Sequence, residues 1–424
     1  MTQDDQTMRH RLGRTRLTVL DEGGEPLRDA DVTVEQVDHA FGFGNIGFDF
    51  LPLVAGPAPE GADDVEAFGT ASGVDLETLE SAFFGIFNQV TLPFYWGRYE
   101  PRRGHPDVER LRTSARWFAE RGALVKGHPL VWHTVLPAWQ QGLPLDEVER
   151  LQRARIADLV GGLRDEIGVW DAINEAVIMP VFANGANRIT DLAREKGRIA
   201  MVRLAFEEAR AANPAATLLI NDFDLSSAYE CLIEGVLEAG IRIDAIGLQT
   251  HMHQGFRGEE ALTAMLDRFA RYGLPLHMTE TTLVSGHLMP PEIEDLNDYR
   301  IPDWPSTPEG EARQADELVR HYTTLMRHPA VEVVNYWGLT DAGAWLGAPS
   351  GLLRADGSRK PGYDALRGLV RDAWWLAPTA VRTDADGVAT VEGFAGDYSV
   401  TARDATARFQ VAKGEGAASV RLGR

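Results

Sequence analysis

Two acidic residues, far apart in the chain, stand in matching local settings. Glu175 completes the run Trp170-Asp171-Ala172-Ile173-Asn174-Glu175-Ala176, and Glu280 completes Leu276-His277-Met278-Thr279-Glu280. Each follows an apolar stretch of strand length, so each carboxylate is expected where a strand ends. A single Glu in such a place is more often a salt-bridge or helix-cap partner. Two in equivalent places suit the cleavage of a glycosidic bond: one carboxyl group, protonated, delivers a proton to the leaving oxygen, and the other, ionised, attacks the anomeric carbon. Where configuration is retained, the two carboxyl groups lie about 5–5.5 Å apart. Glu175 is then the acid/base and Glu280 the nucleophile, and Asn174 reaches the sugar 2-hydroxyl, a contact that strengthens in the transition state.

Both residues need a frame that turns strand ends toward one mouth. Strand-length apolar runs at 41–46, 88–92, 124–131, 168–174, 217–222, 245–249, 276–279 and 331–337 alternate with amphipathic stretches such as 108–121, 145–161, 193–213 and 311–327. Eight βα repeats predict a (β/α)8 TIM barrel, in which strand C-termini form the catalytic rim. A doubly wound open sheet is the alternative, but no Gly-rich phosphate fingerprint follows an early strand. Two segments rich in Pro, Gly, Ala and acids, 52–75 and 285–308, read as mobile rim loops.

The ends of the chain have a different texture. Residues 14–37 alternate on both sides of Gly23-Gly24-Glu25-Pro26, which predicts a β-hairpin. Residues 377–424 hold short strands near 388–391, 396–402, 407–411 and 418–422. The Gly-x-Pro-Leu pattern early and the Gly-x-Tyr-x-Val pattern late resemble the two halves of one carboxypeptidase-regulatory-like β-sandwich. The expected domains are a flexible 1–13, a hairpin at 14–37, a barrel at 38–376 and strands at 377–424, with hairpin and strands forming one small sandwich. The alternative is a separate hairpin and an unrelated C-terminal domain.

Composition narrows the partners. The 424 residues carry 42 Lys+Arg against 63 Asp+Glu, a net charge of −21. A field of that sign repels nucleic acid and anionic membranes and suits a neutral ligand. No run is apolar for long enough to span a bilayer. The lone cysteine, Cys231, excludes an internal disulfide and is expected to be a small core residue. Met1-Thr2-Gln3-Asp4-Asp5 lacks an apolar signal core, so a cytoplasmic location is expected unless a leader has been trimmed.

Taken together, the motifs resemble glycoside hydrolase family 10, the retaining endo-β-1,4-xylanases. Besides the Glu175 and Glu280 strands, the matches are Gly127-His128-Pro129-Leu130-Val131-Trp132-His133 with Leu136-Pro137-Ala138-Trp139, then Asn221-Asp222, Gly247-Leu248-Gln249-Thr250-His251, and Tyr336-Trp337-Gly338-Leu339-Thr340-Asp341 with Trp345. They occur in the family's order between about 41 and 372. The resemblance implies that His128 and Trp132 line the subsite of the sugar being cleaved, with His133 behind them. It also implies that Gln249 and His251 position the carboxylates and that Trp337 and Trp345 wall the site. Histidine pairs 128/133 and 251/253 could suggest a metal, but carboxylate ligands at matching spacing are absent and the family needs none, so neither metal nor cofactor is expected.

Two departures bear on specificity. Where the family has a Glu-Asn-x-x-Lys cluster that grips the next sugar on the non-reducing side, this chain has Thr91-Leu92-Pro93-Phe94-Tyr95-Trp96-Gly97-Arg98-Tyr99. Where the family follows its nucleophile with Leu-Asp, this chain has Thr281-Thr282, so His251 is expected to lose its carboxylate partner. The expected activity is retaining hydrolysis of β-1,4-xylosidic or related bonds in xylan or xylo-oligosaccharides. The alternatives are a β-glycosidase acting on aryl or other plant glycosides and a catalytically silent sugar-binding barrel.

Overall fold

A computed structural model describes residues 7–62, 73–182 and 187–423 of the chain. Eight parallel strands close a barrel: β3 (Gly42–Ile46), β4 (Gln89–Pro93), β5 (Leu124–His128), β6 (Val169–Asn174), β7 (Thr217–Asp222), β8 (Ala245–Met252), β9 (Leu276–Leu283) and β10 (Val331–Tyr336), with β10 returning to β3. Helices fill the connections, and their apolar faces merge with the strands into one large core. The fold is therefore the (β/α)8 barrel expected from the alternation.

Boundaries moved where local chemistry decides them. The strand expected at 124–131 stops at His128, because Pro129 has no N–H to continue the ladder. The strand expected to end at Thr279 runs on to Leu283, so Glu280 lies within β9 and not at its end. The extension follows from pairing: after a one-residue shift at Thr279, β8 and β9 pair as Gln249↔Glu280, Thr250↔Thr281 and His251↔Thr282, and the Thr250 and Thr281 hydroxyls bond at 2.9 Å. The helix expected at 193–213 is two, Arg188–Lys196 and Arg198–Ala212, broken at Gly197, whose φ of 84° favours glycine.

The ends of the chain make two further sheets. Strand β1 (Leu12–Leu20) lies between β12 (Val388–Phe394) and β15 (Gly414–Arg421), while β2 (Asp31–His39) lies between β11 (Thr379–Arg382) and β13 (Gly396–Ala402), with β14 (Ala405–Val411) on the outside. Leu17 and Val19 of β1, Val32 and Val34 of β2, and Val391, Tyr398, Val400 and Phe409 share one apolar core. The N-terminal pair is thus no hairpin. The alternating faces were there to read, but β1 and β2 set them against each other across the sandwich and give their backbone bonds to C-terminal strands.

The expected flexible 1–13 is also corrected. Residues 1–6 lie outside the described residues, but Met8 joins the barrel core and β1 begins at Leu12. Arg11, 3% exposed, extends its guanidinium to the carbonyls of Met326, His328 and Val331 and lies over the Phe41 ring. It clasps sandwich to barrel. Arg11→Met should lower stability by about 3 kcal/mol, the scale of losing charge-assisted bonds to buried acceptors, measured by urea unfolding; an unchanged midpoint would remove the clasp.

Of the two rim loops, 63–72 in the first lie outside the described residues. The second carries its own small core, in which Trp304 packs with Val284, Met289 and Ala348. Cys231 is exposed, because Tyr229, Leu232, Ile233 and Val236 take the buried face of helix Ser227–Glu238. Among the described residues no helix is long and apolar enough to cross a membrane.

Candidate active site

Glu175 sits one residue beyond β6 with φ 57°, a left-handed backbone rare for a side chain of its size. Such strain costs about 1–3 kcal/mol and persists where neighbours fix it. Here the Glu175 N–H donates to the Asn221 carbonyl at 2.8 Å. Its carboxyl group accepts from Trp132 Nε1 at 2.8 Å, Asn174 Nδ2 at 3.1 Å and Gln249 Nε2 at 3.3 Å.

The second carboxylate is tied to the same network. Asn221 Nδ2 donates to Asn174 Oδ1 at 2.7 Å and to Glu280 Oε1 at 3.0 Å, and Thr279 Oγ1 holds the other end of that amide at 2.5 Å. Gln249 Nε2 also reaches Asn174 Oδ1, at 3.0 Å. Three amides from β6, β7 and β8 therefore lie between the two carboxyl groups and fix where both point. Asn221 was visible only as part of the strand-five motif; its bridging role could not be read, because it depends on barrel closure.

Histidines complete the frame. His251 Nε2 lies 3.1 Å from Glu280 Oε2, and its Nδ1 lies 3.1 Å from Thr282 Oγ1. Thr282 thus stands where a carboxylate partner was missed, and a neutral hydroxyl orients the ring. His128 Nδ1 meets Asp171 Oδ2 at 2.7 Å, and its Nε2 faces Glu280 Oε1 at 3.9 Å. Asp171, which was not singled out, is wholly buried; burial would raise its pKa, but Lys126 at 2.8 Å and His128 outweigh it and hold it low. Lys126 and His128 share a face of β5 by the two-residue strand period, a signal the sequence did contain. His133 is buried against Phe182, and burial lowers its pKa to about 3, so it stays neutral beside Glu175.

Burial acts most strongly on Glu175. Loss of solvation, with the Glu280 and Asp222 charges adding to it, pushes its pKa up to about 8 against the opposing Trp132 and Gln249 bonds. A carboxyl group in that state is a proton donor at neutral pH. Rate should therefore hold through neutrality and fall as pH rises through about 8, where the donor ionises. Trp132→Phe, which removes a bond favouring the ionised form, should move that falling limb to higher pH in a pH–kcat/KM profile. A limb that stays in place would show that Trp132 does not set it.

Aromatic rings border the carboxylates. Trp345 lies 4.8 Å from the His251 ring and Trp337 5.2 Å from that of His128. Phe48 and Tyr95, neither assigned from the sequence, join Trp337 in a small apolar cluster with Ile46, against which Trp132 and Val135 pack. Burial, then the Glu280 and Glu175 charges, drives the Tyr95 pKa upward, so it stays a neutral phenol. Among the described residues no group of three or more His, Cys, Asp or Glu side chains is arranged to hold a metal.

Comparison with known proteins gives a consistent result. Residues 65–368 match Glycosyl hydrolase family 10. Endo-1,4-beta-xylanase B of Thermotoga neapolitana is 27% identical over 294 residues, covering 65% of this chain and 78% of that protein. An endo-1,4-beta-xylanase of Geobacillus stearothermophilus is 25% identical over 301 residues, 67% of this chain and 87% of that protein. The crystal structure of xylanase 10B from Thermotoga petrophila RKU-1 in complex with xylobiose shares the fold with a TM-score of 0.61 at 20% identity, over 79% of this chain and 95% of that one. With the family match covering most of the chain and the carboxylates held at the barrel mouth, the protein belongs to glycosyl hydrolase family 10 and is a glycoside hydrolase.

Proposed function

We propose that the enzyme hydrolyses β-xylosidic bonds with retention of configuration. The observation that carries this reading is the unbroken run of hydrogen bonds from Glu175 through the Asn174 and Asn221 amides to Glu280, which ties the two carboxyl groups into one network. The xylanase names of its relatives supply the sugar.

Glu280 Oε attacks the anomeric carbon as Glu175 passes its proton to the departing oxygen, leaving a glycosyl ester on Glu280. The ionised Glu175 then takes a proton from water, which attacks the anomeric carbon from the face the aglycone left and releases the Glu280 carboxylate. Asn174 is placed to bond the 2-hydroxyl, while Gln249 and His251 keep the carboxylates oriented and His128, Trp132, Trp337 and Trp345 enclose the sugar.

The test is covalent trapping. A 2-deoxy-2-fluoro-β-xylosyl fluoride should inactivate the enzyme and leave one sugar on Glu280, found by peptide mass spectrometry, and methanolysis of an aryl β-xyloside should yield the methyl β-xyloside. A label elsewhere, or an α-product, would overturn the mechanism. Measurable sugar binding without label or turnover would make the protein a silent barrel.

A further inference from the structure

The two carboxylates divide the rim unequally. Asn174, Asn221 and Gln249 fill the space between them on the β7–β8 side. The body of a bound sugar therefore lies over the larger arc from β10 through β3 and β4 to β5, and that arc is lined with rings.

Those rings form a closed circuit. Phe48 meets Tyr95 at 6.1 Å, Tyr95 meets His128 at 5.7 Å, His128 meets Trp337 at 5.2 Å and Trp337 meets Phe48 at 5.8 Å, all at 76–88° between planes. A sugar threading between two rings needs a contact of 3.5–4.0 Å on each side, about 7–8 Å in all. None of the four neighbouring pairs is that far apart. A ring lining an open polysaccharide cleft would also show a face to water, whereas Tyr95, Phe48 and Trp337 are 4%, 5% and 6% exposed.

The wall is built into the chain. Gly97 lets the turn after β4 press onto 135–136: its N–H donates to the Val135 carbonyl at 2.7 Å, and a Cβ there would come within 2.8 Å of that oxygen. Buried Arg155 bonds the Phe94 carbonyl, which fixes the residue before Tyr95. Next to Phe48, Asp49 lines a cavity of about 10 Å³ shared with Trp337, Gly338, Thr340 and Trp345, room for a single hydroxyl or water. Its bond to Thr340 Oγ1, at 3.4 Å, is long. A hydroxyl closed in by rings needs a polar partner, and Asp49 is placed to be one.

Resting on the proposed glycosidase reading, we infer that the site ends after one sugar unit: the Phe48–Tyr95–Trp337 wall stops the substrate on its non-reducing side, Asp49 takes a hydroxyl of that terminal sugar, and the enzyme removes single residues from chain ends instead of cutting within chains. Tyr95 and Asp49 are then specificity-determining residues.

The experiment compares p-nitrophenyl β-xyloside with p-nitrophenyl β-xylobioside and follows the first products from xylohexaose. The wild-type enzyme should show at least a ten-fold higher kcat/KM on the xyloside, and xylose with xylopentaose should appear first. Equal or better use of the xylobioside, or early xylobiose and xylotriose, overturns the inference. Tyr95→Ala should raise the xylobioside-to-xyloside ratio at least ten-fold; an unchanged ratio in the folded variant removes the wall as its cause. Asp49→Asn should raise KM for the xyloside at least ten-fold while Glu280 still labels fully, and an unchanged KM removes Asp49 from the pocket. Labelling of Glu280 together with a preference for xylobioside sinks only this inference. Loss of both labelling and turnover sinks the glycosidase reading with it.

Discussion

Glu280→Ala should abolish useful turnover of every β-glycoside that the wild-type enzyme cleaves, with kcat on an aryl β-xyloside falling by about five orders of magnitude, about 7 kcal/mol of barrier. The size follows from position: no other described carboxylate shares the Asn221 and His251 contacts that aim Glu280 at the enclosed space. The loss should be the same for good and poor leaving groups, because formation of the ester fails in both. Added azide can enter the space left by the side chain and attack from that face, giving an α-glycosyl azide. Residual turnover within a hundred-fold of wild type, or a β-azide, would assign the nucleophile elsewhere.

Glu175→Ala behaves differently, and the difference is diagnostic. Glycosides with poor leaving groups, such as xylo-oligosaccharides, should lose about 10³–10⁴-fold in kcat/KM, the upper range for general acid catalysis. Dinitrophenyl β-xyloside needs no proton and should still form the glycosyl ester, which then accumulates because no base activates water. Azide should rescue this variant to a β-glycosyl azide. The falling limb near pH 8 should also vanish, since the group that titrates there is Glu175. Equal losses on both substrates, or a limb that survives, would remove Glu175 from the acid role.

How far these side chains could be foreseen depended on whether their partners lie close along the chain. Asn174 and Glu175 are adjacent, and each barrel strand carries its own apolar run, so the alternation and the carboxylate positions were legible. Asn221 bonding both Asn174 and Glu280 was not, since it needs β6, β7 and β9 brought around a closed sheet. Thr282 replacing a carboxylate beside His251 was visible as a departure, but its consequence required the β8–β9 register to be known. The aromatics at 94–96 read only as a loss of polar groups; that Tyr95 closes a circuit with Phe48, His128 and Trp337 depends on three other strand ends. At the termini, period-two alternation located β1 and β2 but could not choose their neighbours, because alternation specifies a face and leaves pairing open.

The seating of β1 between β12 and β15 also bears on how the chain is made. Leu12–Leu20 leaves the ribosome well over three hundred residues ahead of Val388–Phe394 and Gly414–Arg421. At 5–20 residues per second the strand waits roughly twenty to eighty seconds before both edges are paired. During synthesis both edges of that strand stay open to wrong partners, and the emergence of β12 and then β15 closes them.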